Sequence, residues 1–191
     1  MERDSRKRAE ALLAQMTAIE KVGQLNQHLY GFRIYHVEDG KIIFTQELKD
    51  EVKKWGGIGT IYGLYRADPW SEKNYETGLA GGLSMQAYNQ LQKYVIEHSR
   101  LGIPFLLSSE CPHGHQALDG YLLPVNLAVG ASFDPALYER AGQVCGRQLK
   151  QMGVDFALVS ALDILRDPRW GRSEECYGRI HIYRQSSRGR S

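Results

Sequence analysis

The chain has 191 residues, of which 42% are hydrophobic and 24% are charged, and this composition excludes a disordered chain, a collagen and a disulfide scaffold. The formal charge of +2 comes from the last thirteen residues, Arg179 to Ser191, which hold four arginines and no acid. The remainder has 20 basic and 22 acidic residues, so its slightly acidic charge does not favour an anionic partner.

The first elements predicted along the chain are two helices. Apolar residues at helical spacing predict a helix that ends near Met16. Thr17 and Glu20 have the spacing of a capping box, in which each side chain bonds to the backbone N–H of the other residue. The second helix is therefore predicted to begin at Thr17.

A segment of mixed character follows over residues 30–46. It combines aromatic and β-branched residues with the turn signal Asp39-Gly40, which is typical of a short hairpin but also fits a decorated loop. Residues 46–54 predict a short charged helix.

From Gly56 onward, continuous apolar strands alternate with amphipathic helices. The predicted strands are Gly56–Leu64, Ile103–Leu107 and Val154–Leu165, and the predicted helices are Leu83–Ser99 and Phe133–Met152, with Asp134 as N-cap and Pro135 at the first helical position. Strands without polar alternation are buried on both faces of a parallel sheet, so the pattern predicts an α/β fold, either doubly wound or a βα-barrel. About three βα units are present and a closed barrel needs eight, which favours an incomplete TIM-type (β/α) barrel whose last strand is an unpaired edge.

Two of the predicted strands lead into polar residues suited to a polyhydroxylated substrate. The second leads into Glu110, and the third into the run Asp167–Arg172 followed by Glu175. Active sites of parallel α/β folds lie at the carboxyl ends of their strands. Carboxylates and guanidinium groups hydrogen-bond hydroxyls, and aromatic faces pack on sugar rings. These strand ends therefore indicate a carbohydrate site.

A metal-dependent barrel hydrolase is the alternative at the second strand end. His113 and His115 form an H-x-H pair, which such enzymes use to hold a divalent ion. Pro112 and Gly114 favour a simple turn instead, so no metal ligand is assigned. Cys111, next to this pair, is interpreted as a small packing residue.

The remaining motifs argue against other classes of partner. The glycines of residues 56–59 lack the spacing of a nucleotide-binding loop, and the arginine tail lacks aromatic residues, so neither a nucleotide nor a nucleic acid is expected. No stretch is apolar for long enough to span a membrane. The three cysteines, an odd number without a CxxC pair, indicate reduced thiols in the cytoplasm, and the charged N-terminus has no signal-peptide core.

Taken together, the motifs resemble the N-terminal barrel domain of family 3 glycoside hydrolases, the β-glucosidase and β-xylosidase family. The resemblance covers roughly residues 5–178 in the family's order. The segments that carry it are Ala14–Leu25, Gly102–Pro104, Glu110–Gly114, Leu123–Pro124, Ala131–Asp134 and Asp167–Arg172 with Glu175.

The resemblance implies a site as well as an activity. Glu110 is at the acidic position that binds hydroxyls of the non-reducing sugar, and Arg172 is at the sugar-binding arginine, with Arg169 as the weaker candidate. An ion pair of Arg172 with Asp167 or Glu175 is the structural alternative. We interpret Trp170 as loop packing rather than as a sugar platform.

The implied reaction is hydrolysis of terminal non-reducing β-D-glucosyl or β-D-xylosyl residues by double displacement, with no metal or organic cofactor. In the family, the nucleophile and the acid/base belong to later segments, so no catalytic residue is assigned and this chain is expected not to turn over. A non-catalytic carbohydrate-binding remnant, or a complementing half-barrel, is the other alternative.

The expected domains are residues 1–178, an N-terminal portion of the barrel, and residues 179–191, an out-of-frame basic tail. After the position of Gly178 the family typically has Gly-Glu-Asp-Pro-Tyr-Leu. Codons can be chosen for the observed residues such that one added base restores this motif, which is compatible with a frameshift.

Overall fold

The computed structural model describes residues 2–159 and 163–179. Within them the α-helices are α1 (Glu2–Gln15), α2 (Ala18–Gln24), α3 (Gln46–Trp55), α4 (Gly82–His98), α5 (Asn126–Ala131) and α6 (Pro135–Gln151). The strands are β1 (Tyr35–Glu38), β2 (Lys41–Phe44), β3 (Thr60–Tyr62), β4 (Leu106–Glu110) and β5 (Phe156–Leu158). Short 3-10 turns occupy Gly31–Arg33 and Ser173–Glu175.

Local signals in the first fifty residues gave correct predictions. The Thr17 hydroxyl accepts a hydrogen bond from the Glu20 N–H at 3.3 Å, and the Glu20 carboxylate accepts one from the Thr17 N–H at 2.8 Å. The predicted capping box is thereby confirmed. Strands β1 and β2 form an antiparallel hairpin, and Asp39 and Gly40 both have the positive φ that its tight turn requires.

Strands β3, β4 and β5 form a parallel sheet in that order, which confirms the predicted α/β class. Helix α4 connects β3 to β4, and α5 and α6 connect β4 to β5. The helix predicted over Leu83–Ser99 is confirmed by α4, and that over Phe133–Met152 by α6. Asp134 caps α6 by accepting a hydrogen bond from the Leu137 N–H at 2.9 Å.

The main core lies around β3 and β4. Ile61 and Leu107, which are paired across these strands, are fully buried. They pack with buried residues of the hairpin region, of α3 and of α4, among them Ile34, Tyr35, Leu48, Val52, Leu91 and Val95. The core therefore fixes β3 and β4 and, with them, the carboxyl ends of both strands.

The predicted bounds of the second strand were wrong. Pairing begins at Leu106, three residues after the predicted start at Ile103, and it continues through Glu110. Pro104 has no N–H to donate to a neighbouring strand, which disfavours pairing at that position. Ser108 and Ser109 are buried within β4, so an apolar pattern could not reveal the end of the strand.

The third strand differs from the prediction in burial. Each residue of β5 is exposed, although its sequence predicts a strand buried on both faces. Within the described residues β5 pairs with β4 alone, and the unpaired edge of the last strand stays a prediction. Residues 160–162 of the predicted strand lie outside the described part of the chain.

Two other predictions, on membrane spans and on the basic tail, can be compared only with the described residues. Over residues 2–159 and 163–179, no helix is long and apolar enough to cross a membrane. The predicted basic tail, apart from Arg179, lies outside the described residues. The Arg179 guanidinium donates a hydrogen bond to the carbonyl of Arg166 at 3.4 Å.

Candidate functional site

Glu110 is the last residue of β4, at the carboxyl end of the central strand of the sheet. Side chains two residues apart on a strand share a face, so Glu110 is on the face of Ser108, which is paired with Tyr62 of β3. The Glu110 side chain is 25% exposed. The predicted carboxylate therefore lies at the carboxyl ends of the strands, where parallel α/β folds bind their ligands.

Two donors converge on one oxygen of this carboxylate. The Tyr62 hydroxyl donates a hydrogen bond to Oε1 of Glu110 at 2.6 Å, and Nη1 of Arg66 lies 3.4 Å from the same oxygen. Burial, and then the hydrogen bond to Glu110, raise the pKa of Tyr62 above its ordinary value. Among the described residues, no group donates a hydrogen bond to Oε2, so this oxygen can accept one from a ligand hydroxyl.

Arg66 is itself held in place by Asp68 and Trp70. Its Nε and Nη2 lie 2.7 Å and 2.6 Å from Oδ2 of Asp68, and the guanidinium carbon lies 4.5 Å from the centre of the Trp70 ring. Burial alone would raise the pKa of Asp68, but hydrogen bonds from Arg66 and from the Ser71 N–H outweigh it and lower that pKa. The carboxylate of Asp68 is thus held charged against the arginine.

The sequence prediction missed Tyr62 and Arg66, because it treats Tyr62 only as part of the predicted strand Gly56–Leu64 and assigns no role to the residues that follow this strand. The signal was present. Tyr62 ends the first parallel strand, and Arg66 follows it in the chain. The carboxyl-end rule, applied to this strand as to the other two, would have selected both residues.

Arg172 forms an ion pair with Glu175. Such a pair, with Asp167 or Glu175, was the structural alternative to a sugar-binding role, and Glu175 is the partner observed. The Nε and Nη2 of Arg172 lie 2.7 Å and 2.6 Å from the two carboxylate oxygens of Glu175. These bonds raise the pKa of Arg172, and the charge of Glu110 adds to the effect. The two predicted sugar ligands are thus close enough to interact electrostatically. The Arg172 side chain remains 67% exposed, so a ligand can reach it.

The segment that carries Arg172 is anchored to α5. The side-chain amide of Asn126 donates a hydrogen bond to the carbonyl of Glu175 at 2.8 Å, and Asn126 is fully buried. A Cβ added to Gly130 would lie 2.0 Å from the carbonyl oxygen of Tyr177, so the backbones meet directly at this glycine. These contacts with α5 fix the position of the segment that carries Arg172 and Glu175.

Arg169 and Trp170 lie just before Arg172 in the same exposed loop. The Arg169 Nε lies 3.0 Å from Oδ1 of Asp167, and the Arg169 side chain is almost fully exposed. Trp170 is 41% exposed and lines a shallow cavity of about 250 Å³ together with Asp163 and Arg166. The role of Trp170 as loop packing stays a prediction.

The two histidines do not build the alternative metal site. His115 is fully buried, and its Nε2 lies 2.9 Å from the Ser109 hydroxyl. Burial lowers the pKa of His115 to about 4. Over the described ranges, no group of three or more His, Cys, Asp or Glu side chains is arranged to hold a metal ion. His115 is therefore a core residue of the loop that follows β4.

Cys111 behaves as the predicted packing residue. It is buried with Cys145 and Leu149 of α6 in a small second core. Burial and the neighbouring Cys145 thiol raise the pKa of Cys111 to about 12. A thiol with so high a pKa has almost no thiolate at neutral pH and is a poor nucleophile.

Comparison with known proteins gives one consistent family. Residues 17–181 match the family model described as the glycosyl hydrolase family 3 N terminal domain. A Formosa agariphila protein provisionally named a beta-xylosidase is 30% identical over 178 residues, which are 90% of this chain and 21% of that protein. A periplasmic beta-glucosidase of Salmonella typhimurium is 26% identical over 167 residues, which are 87% of this chain and 18% of that protein.

A solved structure supports the same relationship. A β-glucosidase from Erythrobacter marinus matches with a TM-score of 0.70 and 26% identity, covering 94% of this chain and 22% of that one. The likeness confirms the predicted partial (β/α) barrel. The chain spans about a fifth of the length of the curated relatives that it matches.

Proposed function

The chain belongs to glycoside hydrolase family 3, and from this membership we propose that it supplies the sugar-binding part of a β-glycosidase. The substrates are terminal non-reducing β-D-glucosyl or β-D-xylosyl residues, since the relatives carry the names of a glucosidase and a xylosidase. The observation that carries the proposal is the carboxylate of Glu110, which accepts a hydrogen bond from Tyr62 through one oxygen and whose charge acts on Arg172.

The chemistry of binding follows from the two side chains. A carboxylate accepts hydrogen bonds from sugar hydroxyls, whereas a guanidinium donates to their oxygens, so Glu110 and Arg172 contact a sugar in complementary ways. Hydrogen bonds that involve a charged partner are about twice as strong as neutral ones. The pair therefore holds the terminal sugar.

The proposed reaction is a double displacement through a covalent glycosyl-enzyme. It needs two carboxyl groups about 5–5.5 Å apart across the scissile bond, one as nucleophile and one as acid/base. We assign neither role to a residue of this chain, and the proposal includes no metal or organic cofactor. The chain alone is expected to bind the sugar without cleaving a glycoside.

The test combines ligand binding with turnover, using the whole 191-residue chain. Saturation-transfer NMR with glucose and with xylose should detect binding, and an aryl β-glucoside and β-xyloside should release no aryl alcohol. Arg172→Gln should weaken the sugar affinity about ten-fold, as expected for a lost charged hydrogen bond. Arg147→Gln, at an exposed position on α6, is the matched control and should have no effect.

Three results would contradict parts of the proposal. Release of aryl alcohol by the chain alone would contradict the claim that this chain holds neither the nucleophile nor the acid/base. Failure to bind either sugar would refute the binding role. An equal loss of affinity in both arginine variants would remove Arg172 from the site.

We further propose the domain division into residues 1–178 and a tail of residues 179–191 that arose by a shift of reading frame. The support is the family motif that one added base can restore after Gly178. Sequencing of the gene across this point tests the idea directly. If insertion of one base does not restore the motif, the tail is not a frameshift product.

The cellular location is proposed to be the cytoplasm. The support is the odd number of cysteines without a CxxC pair, together with the burial of Cys111 and Cys145 as free thiols. The Salmonella relative is named periplasmic, so the two locations need to be separated by experiment. Fractionation of the source cells, with an antibody against this chain, should find it with cytoplasmic markers. Recovery with periplasmic markers would contradict the proposal.

A further inference from the structure

We infer that Tyr62 and Arg66 are positioning residues that make Glu110 select one sugar hydroxyl, because they bind Oε1 and leave Oε2 as the acceptor for the ligand. The inference rests on the proposed function, since it assumes that Glu110 binds a sugar. It adds two residues to the site and predicts how the site discriminates between sugars.

The direction of the hydrogen bonds between these three residues is fixed by chemistry. A guanidinium has donors and no acceptor, so the Tyr62 hydroxyl must accept the hydrogen bond from Nη1 of Arg66. The single hydroxyl proton of Tyr62 is then donated to Oε1 of Glu110 at 2.6 Å. Tyr62 consequently has no proton to offer a sugar, and it acts through Glu110.

Four of the five N–H groups of Arg66 are directed at protein groups of this cluster. Its Nε and Nη2 face Asp68 at 2.7 Å and 2.6 Å, and its Nη1 serves Tyr62 and Glu110. Asp68 is fixed in turn, because its Oδ1 accepts a hydrogen bond from the Ser71 N–H at 2.8 Å. The arginine is therefore a support of the carboxylate rather than a ligand of the sugar.

The backbone makes the arrangement rigid. Tyr62 is paired with Ser108 across β3 and β4, and the residue is 8% exposed. Arg66 is 15% exposed and is covered on one side by the ring of Trp70. Side chains locked in this way lose little conformational entropy when a ligand binds.

Specificity follows from the use of one oxygen. A carboxylate with both oxygens open can bridge two neighbouring hydroxyls and tolerates the loss of either. With Oε1 occupied, Glu110 contacts one hydroxyl through Oε2, so removal of that hydroxyl leaves a charged acceptor without a partner. The site should therefore reject one monodeoxy sugar much more strongly than the others.

The test measures dissociation constants of the full chain for glucose and for each monodeoxy glucose by NMR titration. In the wild type, one monodeoxy glucose should bind about ten-fold more weakly than the others. Tyr62→Phe should reduce this ratio to about two-fold, since Oε1 becomes free to accept a second hydroxyl. Arg66→Met should act in the same direction, which provides a second variant if the first is poorly folded.

The matched control is Tyr30→Phe, the same chemical change on a neighbouring tyrosine. The backbone of Tyr30 forms an isolated parallel β-bridge with that of Tyr62. Among the described residues, the Tyr30 hydroxyl makes no hydrogen bond. The control should keep the wild-type ratio. Glu110→Gln should lose both the affinity and the discrimination.

The outcomes separate this inference from the proposed function. If Glu110→Gln abolishes binding while Tyr62→Phe and Arg66→Met keep the wild-type ratio, the inference is overturned and the sugar site remains. An equal weakening of all sugars in both variants, as general loss of packing would produce, overturns it as well. A wild-type chain that binds every monodeoxy glucose equally contradicts the inference, and one that binds no sugar contradicts the proposed function.

Discussion

His115 shows how a single residue can look functional in a sequence and be structural in the fold. Its position two residues after His113 is typical of a metal pair, but its ring is fully buried beside Ser109 and edge-on to Tyr65. Burial lowers the pKa of the ring to about 4, so the ring is neutral at pH 7. Because the ring is buried, His115 binds a proton more readily in the unfolded chain than in the folded chain.

We expect the stability of the chain to fall on mild acidification because of this histidine. The unfolded chain binds a proton at His115 below about pH 6.5, whereas the folded chain binds it only below about pH 4, so protons favour the unfolded state. Between pH 7 and pH 5 the free energy of unfolding should decrease by about 2 kcal/mol. Urea denaturation at both pH values measures this difference.

His115→Gln is the control, and its free energy of unfolding should change much less over the same range. Glu20 contributes little to this change, because hydrogen bonds with Arg100 and Thr17 lower its pKa from 4.5 to about 2 and the stability they provide is lost between these two values, below pH 5. An unchanged pH dependence in the variant would show that other groups destabilise the chain.

At the scale of elements, the contact between α5 and the segment 163–179 positions half of the candidate site. Gly130 of α5 leaves room for the Tyr177 carbonyl, and Asn126 of the same helix bonds to the carbonyl of Glu175. Arg172 lies in the segment that these contacts hold. The site therefore depends on a short helix that the sequence pattern did not predict.

Gly130→Ala should displace this segment from α5. The new Cβ would overlap the Tyr177 carbonyl, and overpacking of this kind costs about 1–3 kcal/mol. Urea denaturation should show the loss of stability, and limited proteolysis should show faster cleavage within residues 163–179. The affinity for glucose should also fall, because Arg172 loses its position.

Gly142→Ala provides a matched control on α6, where an added Cβ meets no atom within 4 Å. This variant should be as stable as the wild type or more stable by up to about 1 kcal/mol, owing to the higher helix propensity of alanine. Equal behaviour of the two variants would contradict the anchoring role of Gly130.

Elements with local signals were predictable from the sequence, and those fixed by distant contacts were not. The capping box at Thr17 and the Asp134-Pro135 start of α6 depend on neighbouring residues, and both are confirmed. The end of β4 depends instead on pairing with β5, which keeps Ser109 and Glu110 in the strand. Likewise, Glu110 was predicted from its motif, but its contact with Tyr62 arises 48 residues away in the chain.

At the scale of the whole molecule, the described residues form three strands of a sheet that is open on one side. Strand β5 has no second neighbour among them, and Phe156 and Leu158 are exposed. Leu106 of β4 is also exposed, on the face that a barrel would enclose. Unpaired backbone groups and apolar side chains at one edge favour pairing with another chain.

The full chain should therefore self-associate through β5. Sedimentation velocity over a range of concentrations should show oligomers, and Phe156→Lys should reduce them because a charge on an edge strand opposes pairing. Since Phe156 is exposed, its replacement should change the free energy of unfolding by less than about 0.5 kcal/mol.

Leu25→Lys is the control for the loss of an apolar side chain, because Leu25 is exposed at the end of α2. This variant should associate like the wild type. A wild-type chain that stays monomeric at all concentrations would contradict the account of the open sheet.

The most direct test of the central claim is a titration of the 191-residue chain with glucose, comparing the wild type with Glu110→Gln. Glu47→Gln, at an exposed position on α3, removes the same charge elsewhere and serves as control. The account predicts saturable binding by the wild type and by the control, and a dissociation constant at least ten-fold higher for Glu110→Gln. Equal affinity in all three proteins would contradict the assignment of Glu110 as the carboxylate that binds the sugar.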